Sequence, residues 1–426
     1  MAIKVAVVGG GSTYTPELVE GFLAHADRLP VGELVLHDID ASRLDVVGGL
    51  ARRIIAKREW PGRLVLTADR ERAIDGASFV IVQLRVGGQA ARLQDETLPL
   101  EFGCIGQETT GPGGFAKALR TVPVVLDIAE QTARLAANGA WVVDFTNPVG
   151  IVTQALLDEG HRAIGLCNVA IGFQRRFAAR LGVEPGQVAL DHVGLNHLTW
   201  IRGVRVGGVD RLPELIESAA DEIGADIESP ASLIRLLGAI PSYYLRYFYF
   251  TDVVLAQQLS GSKRSRAEEV MAIERTLLEM YRDPDLAEKP KLLEQRGGAY
   301  YSEAAAQLIA SLHAGTGDQQ VVDIRNRGAL PDLPDDAVVE IPARIESDGA
   351  HAGRLDPLAP ELLGLVQQVK AYERLTVQAA IHGDRPTALK ALIANPLVGR
   401  YNVATALLDA LLEANRRHLP RFFGSR

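Results

Sequence analysis

The chain has 426 residues, too many for one simple core, and this length points to two closely packed domains. Its 47% apolar and 23% charged residues are ordinary for a globular protein, and a net charge of −8 gives no reason to expect a nucleic-acid partner. No apolar run approaches the roughly twenty residues needed to cross a bilayer, so no membrane partner is expected.

Met1-Ala2-Ile3-Lys4 leads straight into a strand with no leader pattern, and the two cysteines, Cys104 and Cys167, cannot build a disulfide framework. A cytoplasmic location is expected. The first strand, Lys4–Val8, ends in Gly9-Gly10-Gly11-Ser12, and the helix-compatible stretch Pro16–Leu23 follows at once. A buried strand, a turn without side chains and a helix N-terminus cradle a dinucleotide pyrophosphate, because backbone N–H groups can approach and face the anion. The third glycine of the usual pattern falls on Tyr14, and the plainer reading is a tight turn joining strand to helix. The next strand, Glu33–His37, runs into Asp38, which can accept the ribose hydroxyls of NAD and would repel the extra phosphate of NADP.

Further strands are expected at Arg63–Thr67, Phe79–Leu84, Trp141–Phe145 and Ala163–Leu166, with helices over Ala41–Arg58, Gly113–Asn138 and Ile151–Glu159. Near-continuous Val/Ile/Leu content predicts a Rossmann-type, doubly wound parallel sheet over residues 1–165. Residues 166–426 are expected to form a mixed α/β domain for substrate, metal and oligomer contacts. Its predicted strands are Leu198–Val206 and Val338–Ile341, stopped by Pro342. Its predicted helices are Ser265–Tyr281, Ser302–Ala314, Pro360–His382, Arg385–Ala394 and Tyr401–Arg417.

Asn147, in Asp144–Gly150, follows a strand and can offer its amide to a ribose, a nicotinamide or a sugar hydroxyl; an Asn-Pro turn is the plainer alternative. Cys167 also closes a strand, and His197 comes thirty residues later in Gly194-Leu195-Asn196-His197. One thiolate and one imidazole can hold a divalent metal with positions open for substrate, although on spacing alone a core thiol and a satisfied histidine are the usual explanation. The stripe Tyr243-Tyr244-Leu245-Arg246-Tyr247 suits a core or an interface, but a tyrosine beside a cation can act as a base. Arg85 with Arg92, Arg52-Arg53, and Lys263-Arg264-Ser265-Arg266 could each clamp a phosphate or sit solvated.

Taken in order, several blocks resemble glycoside hydrolase family four, the NAD- and divalent-metal-dependent 6-phosphoglycosidases. They are Gly9–Ser12 with Tyr14–Leu18, Gly106–Gly111, Thr146-Asn147-Pro148, Cys167-Asn168, Gly194–His197, Tyr244–Tyr247 and Arg266–Met271, extended by Gly297-Gly298-Ala299-Tyr300-Tyr301-Ser302. The resemblance implies a lactate/malate-dehydrogenase-like fold and a redox-assisted elimination. NAD would take a hydride from the sugar's third carbon, Tyr244 would remove the proton on the second, the aglycone would leave, water would add, and the hydride would return.

By the same resemblance Cys167 and His197 bind the metal, usually manganese, and Glu108 polarises or orients the tyrosine. Arg92 and Asn147 match substrate positions, Arg266 lies near the substrate's phosphate or hydroxyls, and Tyr243 is the rival base. Asn168 stands where members acting on α-linked substrates carry an aspartate, which implies the 6-phospho-β-glucosidase branch and a substrate such as cellobiose-6-phosphate or an aryl glycoside. Ala170 departs from that branch, which commonly has proline there. A homodimer or homotetramer is expected. The alternatives are a 2-hydroxy-acid dehydrogenase, a family-four enzyme for a non-phosphorylated or differently configured glycoside, and a non-catalytic NAD sensor.

Overall fold

The apolar run Ile3–Val8 (β1) pairs on both edges and forms the middle of a sheet. A computed structural model describes residues 2–262, 264–297 and 300–424. Lys263, Gly298 and Ala299, which belong to two of the sequence blocks above, lie outside the described residues. On one side of β1 stand Val31–His37 (β2) and Arg63–Thr67 (β3); on the other stand Phe79–Val82 (β4), Trp141–Asp144 (β5) and Ala163–Gly165 (β6), all parallel. The chain therefore reverses its direction of travel between β1 and β4, which opens a crevice at the carboxyl ends of those strands. Val5, Ala6, Val7, Leu34, Leu36, Val80 and Ile81 are buried, as a sheet covered on both faces requires.

Two further strands, Val188–Leu195 (β7) and Leu198–Val206 (β8), form an antiparallel hairpin; Val209–Asp210 (β9) and Ile240–Pro241 (β10) add to β8. The large sheet then gains Asp318–Arg325 (β11), Val338–Glu346 (β12) and Gly349–His351 (β13), all antiparallel, so nine strands run in the order β13-β12-β11-β6-β5-β4-β1-β2-β3. Residues on both sides of position 165 thus build one sheet.

Most helices match the periodicity closely: Ala41–Lys57, Gly111–Leu135, Val149–Asp158, Arg266–Tyr281, Tyr301–Ala314, Pro360–His382 and Arg385–Ala394. Three expectations need correction. The strand expected to reach Leu84 ends at Val82. Pro342 does not stop its strand: it pairs with Val321 on β11, while β13 pairs only with Arg344–Glu346, so at Pro342 one edge has no partner that needs an N–H. The last long helix ends at Ala414 and not Arg417, because Asn415 turns its amide back onto the Leu411 carbonyl while Arg120 donates to its oxygen at 3.2 Å.

Candidate active site

The glycine turn after β1 closes tightly. Gly9 has φ +95°, and a Cβ there would stand 2.4 Å from the Gln83 carbonyl oxygen. The Gly11 N–H donates to Asp38 Oδ2 at 2.9 Å, and Asp40 N–H to Oδ1 at 3.0 Å, so the acid that ends β2 holds the turn in shape. Ser12 Oγ accepts from the Tyr14 N–H at 3.2 Å, and Thr15 Oγ1 donates to the Gly10 carbonyl at 2.9 Å. The helix Thr15–Ala24 has no side-chain cap; its first N–H groups are held within the turn, Thr15 donating to the Ser12 carbonyl at 2.9 Å and Glu17 to the Tyr14 carbonyl at 3.1 Å.

Cys167 and Asn168 follow β6, and Asn168 starts the helix Val169–Leu181. His197 lies at the tip of the β7–β8 hairpin with φ +62°, an uncommon conformation for a residue with a Cβ. Tyr244 lies in a short helical turn just after β10, and its ring stacks on the His197 imidazole with centroids 3.6 Å apart and planes 8° from parallel. Cys167 lies close enough that a thiolate there opposes ionisation of Tyr244. Tyr301 joins the parts: burial raises its phenol well above the usual range, with Cys167 and Tyr244 adding to the effect and Asn147 opposing it, while its ring meets Tyr14 edge-on at 6.3 Å. Thiol, imidazole, Tyr244 and Asn147 therefore form one cluster that reaches the glycine turn.

The protonation states follow from this packing. Burial, against the pull of Glu340, drives His197 down to about 4, so the imidazole is neutral near pH 7. Thr109 Oγ1 donates to Gln107 and lies 2.9 Å from His197 Nδ1, which assigns the proton to Nδ1 and leaves Nε2 as a lone pair that accepts no hydrogen bond among the described residues. Burial and then Glu340 push the Cys167 thiol up, while the Val169 N–H and Asn196 favour its thiolate. Burial also raises Tyr244 well above its usual range, with Cys167, Tyr247 and Glu108 adding to the effect.

A dication would reverse this balance at both groups. Cys167 and His197 supply one soft and one nitrogen donor, and among the described residues no group of three or more His, Cys, Asp or Glu converges. Such a pair fits a catalytic ion whose remaining positions stay open.

Glu108 carries three cations: it hydrogen-bonds Arg85 and Lys117, the latter at 2.8 Å, and pairs with Arg92 at 3.2 Å. Burial pushes its carboxyl up, yet Arg85, Lys117 and Arg92 outweigh that and hold it well below the ordinary carboxylate range. It acts on Tyr244 through its charge, since its hydrogen bonds go to cations. Arg92 Nε donates to Glu96 at 2.8 Å, and the other oxygen of Glu96 accepts the Ala267 N–H at 2.7 Å.

Arg266, next to Ala267, turns outward to Glu269 at 3.0 Å and the Gln295 carbonyl at 2.7 Å, and among the described residues no hydrogen bond or ion pair joins it to the cluster. Tyr243 accepts from Arg246 at 2.8 Å, and only its neighbour Tyr244 stacks on His197. Arg53 is structural, donating to the carbonyls of Leu286 and Tyr281. Sequence reasoning missed Thr109, Lys117, Asn196, Tyr301 and Glu340. Thr109, Asn196 and Tyr301 stand in blocks quoted above without being singled out there, and Glu340 gave a local signal as an acid inside the apolar run Val338–Ile341.

The malate dehydrogenase of Cryptosporidium parvum shares the fold alone, at 15% identity and TM-score 0.55 over 89% of this chain and 99% of that one. Much nearer is a curated protein of Bacillus subtilis named as a probable 6-phospho-β-glucosidase, 43% identical over 99% of this chain and 98% of that relative. The 6-phospho-β-glucosidase of Thermotoga maritima, solved with NAD and glucose-6-phosphate, superposes with TM-score 0.93 at 37% identity, covering 98% of this chain and 99% of the other. A second form of it, with manganese as well, gives 0.91 at 36% identity and the same coverage. Residues 4–183 match the family described as family 4 glycosyl hydrolase, and residues 192–398 match its C-terminal domain. The chain belongs to the family 4 glycosyl hydrolases.

Proposed function

We propose that the chain hydrolyses 6-phospho-β-glucosides with NAD and a divalent ion, manganese foremost. The observation that carries this reading is the stack of Tyr244 on His197 beside Cys167, at the mouth of a nucleotide fold. The names and bound molecules of the relatives above support it. When bound, the nicotinamide offers a reversible hydride acceptor and the ion a Lewis acid for neighbouring sugar oxygens.

Cys167 and His197 hold the ion, and Thr109 keeps the imidazole in the ligating tautomer. Tyr244 removes the proton from the sugar's second carbon once the third is a ketone, and returns a proton there after the aglycone has left and water has added. Gly9, Gly10, Gly11 and Ser12 hold the pyrophosphate, and Asp38 the ribose. Asn147 and Arg92 face the sugar, and Glu108 sets the field around the base. Asn168 carries an amide, which cannot protonate a leaving oxygen, and so favours β-linked substrates with good leaving groups.

In this reading residues 1–165 serve the nucleotide, and residues 166–426 serve substrate, metal and contacts with further copies in a dimer or tetramer. The exposed apolar Val253 and Leu259 on the helix Thr251–Leu259 support such contacts. Among the described residues no helix is long and apolar enough to cross a membrane. Two unpaired, buried cysteines favour a reducing compartment, the cytoplasm.

The test uses paired p-nitrophenyl β-glucosides, with and without the 6-phosphate, each with and without NAD and manganese. Release only from the phosphorylated substrate with both additions supports the reading. Release without NAD, or steady NADH production from malate or lactate, contradicts it.

A further inference from the structure

We propose that Glu340 is a positioning residue for the ion held by Cys167 and His197, acting through the side chain of Asn196. The inference rests on the metal-assisted reading above. Glu340 lies inside β12, 1% exposed, with each carboxylate oxygen committed to a different element. Oε2 accepts from Asn196 Nδ2 at 2.8 Å, and Oε1 meets His192 Nε2 at 2.8 Å. The His192 Nδ1 is buried without a partner, so the ring presents its N–H through Nε2 and accepts nothing at Nδ1. Glu340 thus receives one N–H from each residue, and both residues belong to the β7–β8 hairpin.

Asn196 and His197 are the two central residues of that hairpin's turn, closed by the Leu195–Leu198 pair. His197 holds φ +62° there, a conformation that persists only when its surroundings over-determine it. Asn196 also favours the thiolate of Cys167, which places its side chain near that sulfur. One hydrogen of its amide nitrogen is committed to Glu340 at 2.8 Å. By fixing that amide, Glu340 holds the turn that carries His197. One carboxylate in the large sheet thereby anchors the turn that carries a ligand, a role that outer-shell partners commonly fill at metal sites. Glutamine cannot substitute, because its NH₂ would oppose one of the two donors.

The test titrates the full chain and its Glu340→Gln variant with manganese, and reads the thiolate-to-cobalt absorption band after cobalt is bound. The expected result is manganese affinity about 10–100-fold weaker and a diminished cobalt–thiolate band, with NAD affinity close to the parent's. Asn196→Ala is expected to give the same loss, and the double variant no further loss. Parent-like manganese affinity and band in Glu340→Gln overturn the proposal, as does an equal fall in NAD affinity. If Glu340→Gln does not fold, parent-like affinity in Asn196→Ala overturns it. A parent chain that shows no manganese binding and no Cys167-dependent band refutes the metal reading itself, which is a separate outcome.

Discussion

The phenol ring of Tyr244 lies flat on the imidazole of His197, with centroids 3.6 Å apart and planes 8° from parallel. The residue proposed as base is thereby fixed against a residue proposed as ligand. Tyr244→Phe keeps the stack and removes only the hydroxyl. Turnover should fall by about 10²–10⁴-fold, the usual worth of a positioned base, while NAD and manganese still bind. Tyr243→Phe, which loses a bond to Arg246, should leave turnover near the parent's. Steady-state kinetics on both variants decide the assignment, and full activity in Tyr244→Phe removes that residue from the mechanism.

Gly9 should tolerate no side chain. A methyl group would meet the Gln83 carbonyl oxygen at 2.4 Å on a backbone already at φ +95°. Gly9→Ala is expected to lose NAD affinity and to cost about 1–3 kcal/mol of stability. NAD titration with thermal unfolding checks both, and a variant that binds NAD normally contradicts the phosphate-cradle role.

Glu108 should govern part of the acid limb of stability. Burial raises its carboxyl, but Arg85, Lys117 and Arg92 win, so the folded value lies well below the unfolded one. The stabilisation is therefore present above the unfolded value, about 4.3, and is lost as pH falls through the folded value. Glu108→Gln should be less stable than the parent by about 3–5 kcal/mol near neutral pH, because it leaves buried cations uncompensated. That gap should narrow as pH drops below about 4. Unfolding midpoints across this range test the sign, and a gap that widens on acidification contradicts it.

Asp38 should set the choice of nucleotide. Its carboxylate is fixed by the Gly11 and Asp40 N–H groups and retains lone pairs for a ribose. Asp38→Ser should narrow the preference for NAD over NADP, as measured by the two dissociation constants. An unchanged ratio would place the selectivity elsewhere.

The sequence made the nucleotide half of the fold legible because each of its strands is a short apolar run with a local partner. Lys4–Val8, Glu33–His37 and Arg63–Thr67 needed at most two residues of adjustment at one end. The junction of β11 with β6 was not legible, because it joins Asp323 to Gly165 across a long separation that no local pattern reports. The same holds for the site. Asp38, Cys167, His197, Tyr244 and Tyr301 stand in readable blocks, whereas Lys117 and Glu340 reach them only through tertiary packing. The bond from Asp38 back to Gly11 was also hidden, since its strand suggested a free acid.

The most direct measurement is turnover of a 6-phospho-β-glucoside in deuterated water, with NAD and manganese present, followed by locating the label in the released sugar phosphate. Proton removal by Tyr244 and its later return predict deuterium at the sugar's second carbon, with no net NADH. Hydrolysis that proceeds and leaves that carbon unlabelled would contradict the account.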